Sequence, residues 1–231
     1  MKFYLLPLVL ISTLACLGQD PAKVAPEAYK VQLENEWVKV WRVHYAAHKK
    51  VPVHDHSKWP AAYVYLNDAG PVKFVHTGWD DPVLTRRPVK AKSVRLSRTT
   101  AADETHAVEN ISDTDSDFVR IEFKTMQQGK DLTQARFDAD RYDPARPFNK
   151  LLYQNAQLEL RRLAAPAGSN LEIAAAGQSL IVVLVPGKNE GKPVSAGDAY
   201  WLTTGQNLML APAGPQPIEV LRFDLKVSPR K

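Results

Sequence analysis

The chain has 231 residues, 45% hydrophobic and 24% charged, with a net charge of +5. Basic and acidic residues are interleaved, as in "RTTAADETHAVENISDTDSDFVRIEFK", and this excludes the one-sign stripe that a nucleic-acid surface needs. Cys16 is the only cysteine, so no intrachain disulfide is available and stability has to come from a hydrophobic core.

The chain opens "MKFYLLPLVLISTLACLGQD": one lysine, an uncharged apolar run from Phe3 to Ala15, then small residues before Asp20. Residues 1–19 have the pattern of a secretory signal, too short and too proline-interrupted to span a bilayer as a stable helix. Two processing routes fit. Thr13-Leu14-Ala15 suits ordinary signal peptidase, while Leu14-Ala15-Cys16 is similar to a loose bacterial lipoprotein box in which Thr13 stands where leucine is usual. Both routes predict an exported protein, periplasmic or extracellular, touching a membrane only through a lipid on Cys16.

Beyond the signal, short alternating or apolar runs recur with turn residues between them: "YKVQLENEW", "VKVWRVHY", "AAYVYLNDAG", "VKFVHTGWDD", "SVRLS", "DFVRIEFK". Few windows keep a helical period, so the pattern predicts an all-β sandwich or barrel. Two of the six histidines, His54 and His56, stand one residue apart in "VPVHDHSKWP". On a strand, positions i and i+2 share a face, which is the geometry of two ligands on one ion. A third, His106, follows in "THAVEN" just before another strand-like run. Neutral imidazoles suit a borderline divalent ion such as Fe, Mn, Zn, Ni or Cu, and three of them leave coordination positions open. His44 and His76 lie in apolar strands and are expected to be packing or surface residues, and His48 a turn residue. Trp37, Trp41 and Trp201 are expected in barrel cores and Trp59 in a pocket wall.

Residues 125–150 are polar and charged with two prolines near their end, and predict a linker or surface strap. Their "DADRYD" lacks the glycine and distal glutamate of a calcium loop. The sequon Asn110-Ile111-Ser112 carries no weight beside a bacterial-looking signal.

The second half repeats the first. "NEWVKVWRVHYAAH" (Asn35–His48) aligns without gaps, at an offset of 120, with "NAQLELRRLAAPAG" (Asn155–Gly168), matching Asn with Asn and Arg42 with Arg162. "VRIEFK" (Val119–Lys124) likewise matches "LRFDLK" (Leu221–Lys226). The same offset carries His54 and His56 onto Ala174 and Ala176, and no histidine follows His106, so the second copy is expected to be structural.

Taken together, His54-Asp55-His56 and His106-Ala107-Val108-Glu109-Asn110 resemble the two motifs of the cupin superfamily, H-x-H and H-x-x-x-N. The resemblance, from about Lys30 to Lys226, implies two antiparallel cupin-type β-barrels (a bicupin, or double-stranded β-helix): residues 28–124 with the metal site, a linker over 125–150, and a degenerate unit over 151–231. It implies His54, His56 and His106 as ligands of one divalent metal ion. The glutamate ligand usual in that family would fall on Pro60 or Ala61, and no acid occurs from Ser57 to Leu66. An ion held by histidines alone keeps its full +2 charge, which favours an anionic, chelating oxygen ligand.

Two functions are compatible with these motifs: a metalloenzyme of dioxygenase type acting on a small anionic substrate, and a non-catalytic extracytoplasmic module for a metal or small ligand. A homodimer is compatible with either. Asp103, Glu104, Tyr63 and Tyr65 are the available proton-transfer groups near the motifs, with no catalytic role assigned to one of them.

Overall fold

The computed structural model describes residues 19–56, 59–97, 105–127 and 130–226. The signal segment with Cys16, and Asp103 and Glu104, lie outside the described residues. A four-residue helix, α1 (Pro21–Val24), is capped by the Asp20 carboxylate accepting from the Ala22 amide. The rest is strand and turn.

In the first half, β1 (Tyr29–Glu34), β2 (Val38–Tyr45), β9 (Ser116–Phe123), β4 (Ala61–Tyr65) and β7 (Val94–Ser97) lie side by side in that order. A second sheet runs β3 (Lys50–Asp55), β8 (Thr105–Asn110), β5 (Val72–His76), β6 (Val83–Arg86). The second half repeats both orders. One sheet is β11 (Phe148–Gln154), β12 (Leu158–Ala165), β19 (Ile218–Leu225), β14 (Gln178–Val185), β17 (Ala199–Leu202). The other is β13 (Leu171–Ala174), β18 (Asn207–Pro212), β15 (Gly187–Asn189), β16 (Lys192–Val194). All pairings are antiparallel.

Local detail repeats as well. The Asn35 side chain accepts from the amides of Trp37 and Val38, and that of Asn155 accepts from Gln157 and Leu158, so one Asx turn starts both β2 and β12. A β-bulge interrupts β1 between Val31 and Leu33 and β11 between Leu151 and Tyr153, positions 120 apart.

Alternation sorts the side chains of these strands between two cores. On β9, Val119, Ile121 and Phe123 join one cluster while Phe118 turns to another. The larger cluster contains Val40, Val64 and Ile121 from the first half and Leu160, Val182 and Phe223 from the second, so it glues the two halves together. Each half keeps its own interior cluster on the opposite face. The repeated arginines sit at this junction. Arg42 donates to the Ala196 carbonyl at 2.7 Å and Arg162 to the Lys92 carbonyl at 2.8 Å, each reaching a turn of the other half. Beside Ala196, Gly197 has φ +91°, and a Cβ there would lie 1.6 Å from an Arg42 nitrogen, so both conformation and space demand glycine.

Two expectations need correction. The segment 125–150 is more than a linker: Met126 and Leu132 are buried in the shared core, and β10 (Ala135–Phe137) pairs with β7 to add a sixth strand to the first-half sheet. Trp37 and Trp201 are not barrel core; half-buried, they pack against the shared cluster with ring centroids 6.2 Å apart. Trp41 is buried inside the first barrel as expected.

Candidate metal centre and cavity

The H-x-H pair stands at the end of β3. A bulge between Val51 and His54 slips the β3–β8 register by one residue and brings His54 opposite His106, with its side chain inward. His54 Nδ1 donates to the Pro52 carbonyl, inside the bulge, at 2.7 Å. That bond leaves Nε2 as the acceptor, and the Tyr29 hydroxyl lies 2.9 Å from it. Tyr29 in turn shares a short hydrogen bond with the Tyr45 hydroxyl. His56 follows one residue beyond β3 and faces the same interior, its ring centroid 5.0 Å from that of His54.

His106, on β8, completes the group. Its ring is 4.9 Å from His54 and 5.4 Å from His56, and one ring nitrogen from each of the three lies within 4.8 Å of the others. All three are buried. Burial pushes the His54 imidazole down to about 4, and burial together with the nearby Arg120 charge pushes His56 well below the ordinary value. Both are therefore neutral at physiological pH and offer lone pairs, the form a metal requires.

Beside them lies a carboxylate that sequence reasoning missed. Glu122, on β9, is fully buried, with Oε1 3.7 Å from His56 Nδ1 and 3.0 Å from Arg120 Nε, which donates to it. Glu122 Oε2 and His56 Nδ1 both lack a hydrogen-bond partner. Arg120 also donates to the Tyr63 hydroxyl at 2.9 Å. A signal for this pair was present: Arg120 and Glu122 fall in the repeated "VRIEFK", whose counterpart holds Arg222 and Asp224, paired at 2.8 Å.

His76 is a packed residue, as expected, but it packs beside the site. It is buried on β5, directly across the ladder from His106, with ring centroids 5.1 Å apart, and Trp79 stacks on it at 4.0 Å. A histidine alone in "KFVHTGW" carries no spacing signal. Trp59, expected in the pocket wall, lies under the Lys124 ammonium instead, and Trp79 takes the wall position. His44 and His48 pair with Asp117 and Asp113 away from the site. Asn110 is buried and its amide donates to the Tyr45 and Thr114 carbonyls, so it braces the β8 end and is closed to glycosylation.

His56 and His106, together with His76, line a cavity of about 400 Å³ inside the first barrel. Its walls are Tyr45, Tyr63, Tyr65, Phe74, Trp79 and Phe118, and five arginines, Arg86, Arg87, Arg95, Arg120 and Arg136, line it with no acidic residue among the described lining side chains. Tyr63 and Tyr65 thus reach the cavity, as the sequence allowed.

Among the described residues the second half has no such centre, but the counterparts of the histidines are not Ala174 and Ala176. Without a bulge in β13, those alanines are exposed, and the ladder position of the His54–His106 pair is taken by Ile173 and Leu208. Ile173, Ala175 and Leu208 are buried in the second interior cluster.

No protein-family model and no curated protein matches the sequence. Solved structures do match. YhhW from Escherichia coli is 18% identical with a TM-score of 0.56, covering 88% of this chain and 85% of that one. A putative glyoxylate-induced protein from Pseudomonas aeruginosa is 13% identical with a TM-score of 0.53, covering 88% and 81%. A cupin 2 conserved barrel domain protein from Leptotrichia buccalis is 13% identical with a TM-score of 0.51, covering 86% and 88%. The chain has the cupin fold, all-β and antiparallel. Within that fold it carries a buried three-histidine cluster able to hold a metal ion.

Proposed function

We propose that the chain is an exported bicupin whose His54, His56 and His106 hold one divalent metal ion and act on a small anionic molecule, with oxygen-dependent chemistry of dioxygenase type as the activity. The observation that carries this reading is the convergence of three buried imidazoles, with His54 and His56 held neutral, beside an arginine-lined cavity with no acidic lining residue among those described. Such an ion, when bound, supplies a Lewis acid and, if redox-active, a route for oxygen chemistry.

The chain's own residues do the rest. The Pro52 carbonyl fixes the His54 tautomer and ring, and Glu122 stands where it can hold His56 in the same manner. The Tyr29 hydroxyl occupies the His54 acceptor nitrogen and has to turn away for that nitrogen to bind an ion. The aromatic walls keep water from the reacting molecule, and the guanidiniums offset its charge.

Glu122 is tied to Arg120 rather than free to accept a proton, and this favours a second reading, capture of a metal or ligand without turnover. Metal analysis of protein purified without an affinity tag, followed by an oxygen-uptake screen with small organic acids, separates the two. Iron or another redox-active metal with substrate-dependent oxygen uptake supports the enzyme; tightly held zinc without turnover supports capture. Protein that retains no divalent ion after loading defeats the enzyme and metal capture alike.

A further inference from the structure

The cavity's cations are not equivalent. Arg120 is committed to Glu122 and the Tyr63 hydroxyl, and Arg86 donates to the Gly70 carbonyl and the Ser116 hydroxyl. Arg95, on β7, has neither a hydrogen bond nor an acidic partner among the described residues, and its Nε is buried. Its guanidinium lies 4.4 Å from the centroid of the Tyr63 ring. Directly across the β7–β10 ladder stands Arg136, which also lines the cavity and whose only acidic neighbour among the described residues is the exposed Asp138 at 3.4 Å. Like charges facing each other across a strand pair destabilise a sheet unless a counter-charge lies between them.

We propose that Arg95 and Arg136 form a carboxylate-binding subsite, built jointly by the first barrel and the strap, that anchors the far end of an organic acid whose other end faces the histidines. The proposal deepens the reading above and rests on it for the second anchor. Guanidinium forks match a carboxylate with two parallel hydrogen bonds, which a Lys pair or a spherical ion does not reproduce. The Tyr63 ring lies against Arg95 and its hydroxyl accepts from Arg120 of the Arg120–Glu122 pair beside His56, while Phe118 packs on that ring and Tyr65 on Phe118. The room between the anchors is therefore that of a small molecule with a flat apolar body, not of a polymer. β10 takes part because the strap, not the barrel, supplies the second cation.

Benzoate serves as the probe, with inorganic phosphate as the comparison anion, each titrated calorimetrically into the full chain before and after chelator treatment. Saturable benzoate binding that survives chelation is expected, weakened about tenfold by Arg95→Gln and severalfold by Arg136→Gln, consistent with loss of charge-assisted hydrogen bonds. Arg146→Gln, an exposed change outside the cavity lining, should leave it unaltered. Arg95→Lys, which keeps the charge and packing bulk but not the fork, should recover only part of the affinity, and unchanged thermal midpoints show that the variants fold. No benzoate binding, affinity indifferent to both substitutions, or a preference for phosphate over benzoate would each overturn the subsite. Because benzoate binding is also read on chelated protein, its failure is distinct from failure of the metal reading, which metal analysis reports.

Discussion

Ala61 and Glu122 stand directly opposite one another on β4 and β9, both fully buried on the wall that faces the histidines. Position 61 is where the resemblance places a glutamate ligand, and the structure offers a carboxylate one strand over. From β9 that carboxylate meets His56 Nδ1 and Arg120 rather than the centre of the histidine cluster. Its geometry is that of a group that orients a ligand.

Glu122→Gln therefore tests orientation apart from charge. The amide preserves shape and can still accept from Arg120, but it removes the anion beside His56. Metal affinity should fall by about tenfold, in the range seen when such supporting groups are changed, with little loss of fold. Competition against a calibrated chelator measures it.

Ala61→Glu would place a second carboxylate across the strand from Glu122. It should tighten metal retention and weaken binding of an anionic ligand, because the ion's charge would be partly neutralised in advance. A stability loss of about 1–3 kcal/mol is expected from overfilling the site, and more from the facing like charges. Adding Glu122→Gln should recover that second part. Chemical denaturation together with benzoate titration checks both effects.

Each of His54→Ala, His56→Ala and His106→Ala should abolish stoichiometric metal retention, whereas His44→Ala should not, since His44 faces Asp117 away from the cavity. Metal content after gel filtration is the readout. Equal metal in all four proteins would remove the three-histidine centre from consideration.

The metal-free protein should lose stability in acid. His54 in the fold titrates at about 4, against an ordinary value near 6.5. Above 6.5 neither state is charged and nothing is lost. Between 6.5 and 4 the unfolded chain takes up a proton that the folded one refuses, so stability falls as pH falls, by up to about 3 kcal/mol from this group. His56 shifts the same way and adds to the trend. Denaturant midpoints of His54→Gln protein, measured across this window, should show a shallower dependence.

Arg42 and Arg162 occupy matching places but carry unequal loads. Arg162 is fully buried, with Asp140 and Glu219 each 3.5 Å away, while among the described residues Arg42 has only its bond to the Ala196 carbonyl. Arg162→Ala removes the bond to the Lys92 carbonyl and one of the two cations at buried Glu219, which keeps Lys92 Nζ at 2.8 Å and the Tyr142 hydroxyl at 3.1 Å, and should cost about 1–3 kcal/mol. Arg42→Ala should cost about 1 kcal/mol. Equilibrium unfolding of both variants is the measurement.

Much of this architecture was legible in the sequence because two independent periodicities agreed. Alternation in "VKVWRVHY" marked a strand with one face in each core, and the offset of 120 placed its twin. His54, His56 and His106 were legible because strand geometry makes the i, i+2 spacing meaningful. Three things were not. Glu122 was not singled out, because alternation on its own does not show that β9 is buried on both faces. Arg136 lay in a polar stretch whose pairing with β7 is a long-range event that no local pattern encodes. The third was the true counterpart of His54, because a bulge adds a residue to one copy of a strand without changing its composition.

That bulge makes the difference between the two barrels one of phase as well as chemistry. In β3 the extra residue turns position 54 inward; in unbulged β13, position 174 points to solvent. Writing histidines onto Ala174 and Ala176 would decorate the outside of the second barrel, whereas Ile173, Ala175 and Leu208 are the places from which imidazoles could meet. Conversely, deleting one residue from the bulge would leave every histidine in the chain and disperse the centre, sending the H-x-H pair to the opposite face. The motif is thus only half of the instruction for the site; the other half is a count of residues.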